Sequence, residues 1–262
     1  MKIYAHRGAS AEFPENTLPA FQRAIDLRAD GIELDVHLSS DGVPVVIHDE
    51  TLDRTTNATG EVNAMTAAQL GGLDAGRGSG VPTLAEVLEL VDTTLHVNIE
   101  IKSNQAGQAV IDEVRRQPRL RWAISSFDWE VLRFVKGELP EADLWPLTYG
   151  PRASIAATVA HIAAQEDVYP GAGRWAESLR TTGNVLEAAL SLASDLGSTT
   201  LSIGQYGLTA DAVATVHEQG LAAWVWTVDD PERADELARW GVDSLCTDEP
   251  AIMLRANRST GG

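Results

Sequence analysis

The sequence predicts an α/β protein of the (β/α)8 class, a single TIM barrel. Short apolar runs alternate with longer segments of helical periodicity, which is the pattern of parallel βα units. The 262-residue length is also close to that of one such barrel, roughly 250 residues. Eight runs have the character of barrel strands, and they cover residues 2–6, 31–36, 95–101, 121–126, 143–148, 199–203, 221–227 and 243–247.

Amphipathic segments between these runs predict the helices of the barrel. The first carries Leu18, Phe21 and Ile25 on one stripe, as a helix packed against a sheet requires. The last begins at Pro231 after Asp230, a combination typical of a capped first turn. The predicted helices cover residues 17–27, 84–90, 108–116, 129–135, 185–193, 210–217 and 231–239.

One region breaks this alternation directly after the second strand. Residues 43–47 form a further strand-like run, separated from the second strand by Ser-Ser-Asp-Gly, and this spacing indicates a hairpin. Residues 50–83 are rich in Thr, Asn and Gly and show little periodicity. We therefore expect one barrel domain over residues 1–254, with a small insertion at approximately 50–83. Residues 255–262 are expected to form a polar, frayed tail.

Charge and composition restrict the classes of partner. Lys and Arg number 20 against 38 Asp and Glu, so the formal net charge is -18. Such a surface repels nucleic acids and anionic membranes, and neither is expected as a stable partner. A single cysteine, Cys246, excludes an intrachain disulfide and is expected to be buried. There is no apolar stretch of about 18 residues, and strand-like sequence begins at residue 2. We expect a cytoplasmic protein without a signal peptide.

Charged side chains lie on the inward faces of two predicted strands. Because strand side chains alternate, Glu33 and Asp35 share one face, as do Glu100 and Lys102. One carboxylate on a strand is commonplace, but a pair within an apolar strand is costly to bury unless it binds a cation or is paired. Barrel enzymes have their sites at the carboxyl ends of the strands, so these side chains are predicted to converge there.

Two histidines end strands beside charged residues. His6 precedes Arg7, and His48 precedes Asp49, which distinguishes both from the other four. An imidazole titrates near neutral pH and suits proton transfer. For the remaining histidines, His37, His96, His161 and His217, a structural role is the simpler interpretation.

The predicted ligand set consists of oxygen atoms only. Carboxylates suit hard ions such as Mg²⁺ or Ca²⁺, and the sequence has no spacing typical of a zinc site. A phosphodiester bound to such an ion would be neutralised, and Arg7 and Lys102 are candidates to hold further oxygens.

An ordered set of motifs resembles the glycerophosphodiester phosphodiesterase family. Any one motif is weak, but together they run in order through nearly the whole chain. They include His6-Arg7-Gly8, Pro14-Glu15-Asn16-Thr17, Ile32-Glu33-Leu34-Asp35, His48-Asp49, Leu52-Asp53-Arg54-Thr55-Thr56, Pro82-Thr83-Leu84, Glu100-Ile101-Lys102, Ser125-Ser126-Phe127, Trp226-Thr227 and Thr247-Asp248.

The resemblance implies a metal-dependent hydrolase that converts glycerophosphodiesters into sn-glycerol 3-phosphate and an alcohol. It implies His6 and His48 as the acid/base pair, and it favours His6 as base and His48 as acid. It further implies a divalent cation, Mg²⁺ or Ca²⁺, and a cleft for a small-molecule substrate. The implied residues are Glu33, Asp35 and Glu100 as metal ligands, Arg7 and Lys102 on the phosphate, and Phe127 and Trp226 along the substrate cleft.

Two segments depart from the family pattern. Residues 74–82 are short and glycine-rich where relatives commonly have a longer, aromatic stretch, so one pocket wall is expected to be missing or mobile. Residues 151–183 match no motif of the family.

Other functions compete with this one. A lysophospholipase-D-like enzyme on lipids shares the fold and the histidine pair but would favour an apolar, membrane-seeking loop. A non-catalytic phosphoester-binding barrel would be expected to lose some of the charged residues. The sequence does not specify the alcohol, the metal, the attacking oxygen, the oligomeric state or which histidine is acid and which is base.

Overall fold

A computed structural model describes residues 1–150 and 185–260. Within that part of the chain, eight parallel strands close into a barrel and one further strand extends it. The strands are β1 (Lys2–His6), β2 (Gly31–Leu38), β3 (Pro44–Val46), β4 (His96–Ile101), β5 (Arg121–Ser126), β6 (Leu144–Tyr149), β7 (Thr200–Gly204), β8 (Ala222–Trp226) and β9 (Ser244–Thr247).

The strand order confirms the predicted (β/α)8 barrel. Parallel pairing runs from β2 through β4 to β9, and β1 closes the ring by pairing with both β9 and β2. β3 lies antiparallel against the end of β2, with Val36 opposite Val46, which confirms the hairpin predicted there. The carboxyl ends of the barrel strands therefore meet at one mouth.

Helices lie between most of the strands. They are α1 (Leu18–Asp26), α2 (Ala67–Gly71), α3 (Leu84–Leu90), α4 (Gly107–Arg116), α5 (Trp129–Glu138), α6 (Val185–Leu196), α7 (Ala210–Glu218), α8 (Pro231–Arg239) and α9 (Pro250–Thr260), with 3-10 turns at Val62–Ala64 and Asn104–Ala106. The predicted cap of α8 is confirmed, because Asp230 accepts a hydrogen bond from the backbone of Glu232. The part of the predicted tail that the structure describes is not frayed: residues 255–260 continue α9.

Strand alternation divides aliphatic from polar side chains as predicted. Ile32, Leu34 and Val36 of β2 are buried in the aliphatic layer between barrel and helices, together with Phe21 of α1 and Leu84 of α3. The alternate residues of β2 face the barrel interior. The amino-terminal half of that interior is filled by a separate buried cluster, in which the side chains of Tyr4, Trp145, Trp224 and Cys246 pack together. Cys246 is buried and unpaired, as expected.

The segment after β3 has a small core of its own. Val45, Leu52, Val62, Leu70 and Val81 belong to a buried cluster that is distinct from the main core. The segment begins near His48 and returns to the barrel where Val45 forms a bridge with Thr83. Thr83 then caps α3 reciprocally with Glu86. Residues 50–83 thus form a compact excursion at the mouth, as the insertion predicted there requires.

The described helices include none that is both long enough and apolar enough to span a bilayer.

Candidate active site

Three buried carboxylates face one another at the carboxyl end of the barrel. Glu33 and Asp35 come from β2 and Glu100 from β4, and the strand register places Asp35 directly beside Glu100. One oxygen from each residue lies within 4.8 Å of the others, and all three residues are buried. The predicted convergence of these side chains is therefore observed.

The carboxylates perturb each other strongly. Burial, and then the charge of Asp35, raise the pKa of Glu33 to about 8. Burial would also raise the pKa of Asp35, but the charges of Lys102 and Arg7 outweigh it and hold that pKa well below its ordinary value. Burial raises the pKa of Glu100 as well. Because these carboxylates repel one another when all three are ionised, a bound cation would stabilise their ionised forms.

Two further features fit a hard divalent cation. Oε1 of Glu33 is buried and accepts no hydrogen bond from the described part of the chain, so it is available to a cation. When all three acids are ionised, as cation binding requires, they exceed the two cationic side chains that contact them, Arg7 and Lys102, by one charge. A bound divalent ion would change the net charge of this group of side chains from one negative to one positive. A phosphodiester monoanion would then neutralise it. The donor set is all oxygen, which suits Mg²⁺ or Ca²⁺.

Arg7 and Lys102 are built into this cluster. Nζ of Lys102 lies 2.9 Å from Oδ1 of Asp35 and 2.6 Å from Oε1 of Glu100. Nε of Arg7 lies 3.2 Å from Oδ2 of Asp35, and its backbone N–H donates to Oε2 of Glu33 at 3.1 Å. Asn16 completes the environment of Asp35 by donating from Nδ2 to Oδ2 at 2.8 Å.

The turn after β1 places Arg7. Arg7 has a φ of 56° and Gly8 one of 81°, so both residues are in the left-handed region. A Cβ at Gly8 would lie 2.6 Å from the backbone carbon of Ala20 and 2.7 Å from its Cβ. Only glycine fits this close approach of the turn to α1. The His-Arg-Gly motif is thereby explained in part by backbone geometry.

His6 is held by a carboxylate that directly follows the last barrel strand, β9. Its Nδ1 donates to Oδ1 of Asp248 at 2.7 Å, and the hydroxyl of Ser10 donates to the same oxygen at 2.8 Å. Its Nε2 lies 3.9 Å from Oε2 of Glu33. Burial and Arg7 act to lower the pKa of His6, but Asp248 and Glu33 outweigh them and raise it above the ordinary value.

His48 is also held by a carboxylate, that of the next residue in the chain, Asp49. Its Nδ1 donates to Oδ1 of Asp49 at 2.7 Å, and Nε2 of His37 donates to its backbone carbonyl at 3.0 Å. Burial, followed by the charges of Arg7 and Lys102, lowers the pKa of His48 to about 3. The two imidazoles are therefore tuned in opposite directions.

A chain of ion pairs links the inserted segment to the turn after β1. Arg54 contacts Asp49 through Nε at 2.7 Å and Glu15 through Nη1 at 2.8 Å. Oε1 of Glu15 also accepts from Nη1 of Arg7 at 2.8 Å. Although burial of Asp49 opposes the change, its hydrogen bonds with His48 and Arg54 hold the pKa of Asp49 well below its usual range. Although burial of Glu15 opposes the change, hydrogen bonds from Arg54 and the charge of Arg7 lower the pKa of Glu15 to about 2.

Aromatic side chains line the mouth beside the acids. Phe127 stacks on Tyr149 with ring centroids 5.8 Å apart, and Trp226 meets both rings edge-on at 5.5 and 5.4 Å. The charge of Glu100 adds to burial in raising the pKa of Tyr149, so the phenol lies near the acidic cluster. The predicted pair Phe127 and Trp226 is therefore brought together, and Tyr149 contacts both of its rings.

The mouth opens to solvent beside His6. A cleft of about 330 Å³ is lined by His6, Arg7, Glu15, Asp229 and Asp248, among others. The short loop at 74–82 packs against the turn after β1, where Arg77 lies over the ring of Phe13 at 5.4 Å from its centroid. The glycine-rich loop thus contacts the turn that carries Arg7.

Several contributors to this site were not identified from the sequence as such. Glu15, Asn16, Arg54 and Asp248 all lie within motifs quoted above, but only the fold shows what each one contacts. Tyr149 gave no motif; its signal is its position at the end of β6. The other predicted structural histidines lie elsewhere. His96 stacks on Trp145 and His217 contacts Asp243, while His161 lies outside the described residues.

Known proteins identify the family to which this arrangement belongs. The model of the glycerophosphoryl diester phosphodiesterase family matches residues 6–252. The chain belongs to this family. A glycerophosphodiester phosphodiesterase of Caldanaerobacter subterraneus is 35% identical over 273 residues, spanning 99% of this chain and 98% of the relative.

Solved structures support the same family and fold. A glycerophosphodiester phosphodiesterase of Agrobacterium tumefaciens is 28% identical, with a TM-score of 0.74, covering 98% of this chain and 99% of its own. The enzyme of Thermotoga maritima is 27% identical, with a TM-score of 0.73, covering 97% and 96%. The predicted enzyme class and barrel are therefore confirmed. In this member of the family, the barrel carries three acidic residues that together could hold a metal ion.

Proposed function

We propose that this protein hydrolyses glycerophosphodiesters to sn-glycerol 3-phosphate and an alcohol. The observation that carries the proposal is the meeting, in one barrel mouth, of a buried acidic triad and two histidines that are each held by a carboxylate. Family membership supports the reaction, and the geometry supports the assignment of residues to its parts.

Glu33, Asp35 and Glu100 would hold one divalent cation, Mg²⁺ or Ca²⁺. When bound, such an ion polarises a phosphoryl oxygen and neutralises charge on the phosphodiester. Arg7 and Lys102 then bind the remaining phosphate oxygens. Both already reach into the triad, where they contact Asp35, so a small reorientation of their side chains suffices. Charge balance supports this arrangement, since the diester supplies the single negative charge that the occupied site requires.

His6 and His48 transfer the protons. Displacement at phosphorus needs a base for the attacking oxygen and an acid for the leaving alkoxide. A base must be unprotonated and an acid protonated. The lowered pKa of His48 and the raised pKa of His6 favour His48 as base and His6 as acid, the reverse of the order that the family resemblance implies.

The aromatic group of Phe127, Tyr149 and Trp226 forms the wall against which the organic part of the substrate packs. The charge of Glu100 acts on Tyr149, and Tyr149 contacts both other rings, so a diester held at the triad is expected to reach this group. Replacing Phe127 or Trp226 with Ala is expected to raise KM more than it lowers kcat, because these rings contact substrate without taking part in proton transfer.

An assay coupled to the release of glycerol 3-phosphate tests the reaction. Wild-type protein should release it from a panel of glycerophosphodiesters, and chelator should stop the release until Mg²⁺ or Ca²⁺ is restored. Glu100→Ala should be inactive under both conditions. Activity of Glu100→Ala in the presence of chelator would refute the metal assignment. A strong preference for long-chain lysolipids over deacylated diesters would instead support a lysophospholipase-D-like activity.

Leaving-group dependence tests the two histidines. Each of His6→Ala and His48→Ala should lower kcat on natural diesters by roughly 10²–10⁴-fold, the range for one proton-transfer group. A nitrophenyl diester needs little acid assistance, so it should partly restore the rate of His6→Ala and not that of His48→Ala. The opposite pattern would reverse the order, and near-normal rates in both variants would exclude the pair from catalysis.

We also propose a cytoplasmic location and soluble small-molecule substrates. The net charge of -18 supports this because it disfavours anionic membranes and nucleic acids. Residues 1–254 would form one catalytic domain, with the inserted segment at approximately 50–83 as part of its mouth. Sedimentation of the protein with anionic liposomes would contradict the proposal.

A further inference from the structure

The carboxylate that holds His48 is itself held by one side chain. Asp49 is buried, and its Oδ1 accepts from Nδ1 of His48 at 2.7 Å. Arg54 donates to both oxygens of Asp49, from Nε to Oδ2 at 2.7 Å and from Nη2 to Oδ1 at 2.9 Å. The guanidinium fork therefore fixes the plane of the carboxylate to which the imidazole donates.

The other edge of Arg54 is anchored on the barrel. Nη1 and Nη2 each donate to one oxygen of Glu15 at 2.8 Å. Glu15 lies in the turn after β1, and Arg7 donates to it from the same turn. Arg54 thus bridges two carboxylates. Asp49 contacts His48, and Glu15 contacts Arg7, which reaches the triad at Asp35.

This geometry is specific to a planar fork. A guanidinium can donate two parallel hydrogen bonds to each of two carboxylates, while an ammonium is a compact charge without that planarity. Arg54 is only partly exposed, with 26% of its side-chain surface accessible, and Asp49 is almost fully enclosed at 1%. Solvent therefore cannot readily replace the contacts to Asp49, and loss of Arg54 would leave a buried carboxylate free to turn.

We propose that Arg54 is a positioning residue for the reaction, which acts through Asp49 to orient His48. The inference rests on the proposed function, since it assigns Arg54 to the proton-transfer machinery of that same site. Arg54 donates to Asp49, and Asp49 accepts from the imidazole that transfers the proton. Because Arg54 acts on the orientation of His48, its loss should fall mainly on kcat.

The principal test combines substitutions at Arg54 with a matched control. Arg23 makes a comparable fork with Glu12, with Nε 2.9 Å from Oε2, but on the outside of the barrel. Arg54→Ala should lower kcat on natural diesters by about 10–100-fold, as expected when an outer partner of a site histidine is removed. Arg54→Lys should recover only part of the loss, and Arg23→Ala should keep wild-type kcat.

Two further measurements separate positioning from general loss of structure. Added guanidinium ion should raise kcat of Arg54→Ala and leave that of Arg23→Ala unchanged. In a His48→Ala background, Arg54→Ala should cause little additional loss, because residues acting as one unit are not additive. A loss in that background as large as in the wild type would overturn the inference, as would wild-type kcat in both Arg54 variants.

A readout without substrate distinguishes this inference from the proposed function. The imidazole N–H that His48 donates to Asp49 should give a protected downfield proton resonance, identified by its loss in His48→Ala. The resonance should persist in Arg23→Ala and be lost or broadened in Arg54→Ala. Its persistence in Arg54→Ala would refute the positioning role even if the enzyme is active. Absence of diesterase activity in wild-type protein that shows the expected resonances would refute the proposed function and leave the positioning of His48 established.

Discussion

Cation binding at the triad is expected to release a proton. In the metal-free protein the pKa of Glu33 is raised to about 8 from an ordinary value of 4.5, so this carboxyl is largely protonated at neutral pH. A divalent ion needs the carboxylate, and must displace that proton. Binding should therefore weaken as pH falls below 8 and become independent of pH above it.

The size of the effect follows from the same pKa. Below pH 8 the ionised fraction of Glu33 falls tenfold with each pH unit, so the apparent Kd should rise about tenfold between pH 7 and pH 6. About 0.9 protons should be released per cation at pH 7, and about 0.1 at pH 9. In the metal-free protein, the contribution of this one carboxyl to the free energy of unfolding is greatest below pH 4.5, and at most about 5 kcal/mol of that contribution is lost as pH rises through 8.

Isothermal titration with Mg²⁺ or Ca²⁺ measures this directly. Repeating each titration in two buffers of different ionisation enthalpy gives the number of protons released. Glu33→Gln serves as the control: it should bind more weakly, release fewer protons at pH 7, and unfold at a higher temperature than metal-free wild type at pH 9. A Kd that does not change between pH 6 and 8, with no proton release, would refute the assignment of Glu33 as a protonated ligand.

Three further outcomes are expected. Gly8→Ala should destabilise the protein more than Gly42→Ala in thermal unfolding, because both have φ near 80° but only Gly8 faces Ala20; equal losses would mean that the turn can relax. Asp248→Asn should lower the pKa of His6, followed by NMR titration, and kcat by about 10–100-fold; an unchanged pKa would show that Asp248 does not hold the proton there. Lys102→Met should weaken binding of inorganic phosphate to the metal-loaded protein, measured by calorimetry, while Arg23→Ala should not.

The barrel was predictable because its signals are local and repeated. In β2, residues 32, 34 and 36 are aliphatic and 33 and 35 are acidic, so alternation alone separates the outer layer from the site. Every predicted strand and helix is observed, with ends displaced by no more than three residues. Helix α9 was not predicted, because its polar carboxyl-terminal turns look like a tail, although Met253 and Leu254 anchor the helix on the core.

The site was predictable only as far as strand ends could indicate it. Glu33, Asp35 and Glu100 share inward positions on strands that turned out to be neighbours. Asp248 lies 242 residues from the histidine that it contacts, and no periodicity relates the two. The same is true of Glu15 and Arg54, 39 residues apart, which meet because the inserted segment folds back over the turn after β1. Such partners depend on loop paths, which local propensity does not determine.

The separate core of the inserted segment has a consequence for how activity is lost. Val45, Leu52, Val62, Leu70 and Val81 form a buried cluster separate from the main core, so this segment is expected to open more readily than the barrel. Opening would withdraw Arg54 from Glu15 and loosen the environment of His48, yet leave Glu33, Asp35 and Glu100 in their strands. As mild denaturant is added, turnover should therefore be lost before the cation dissociates. The inactive protein should still bind metal on a folded barrel.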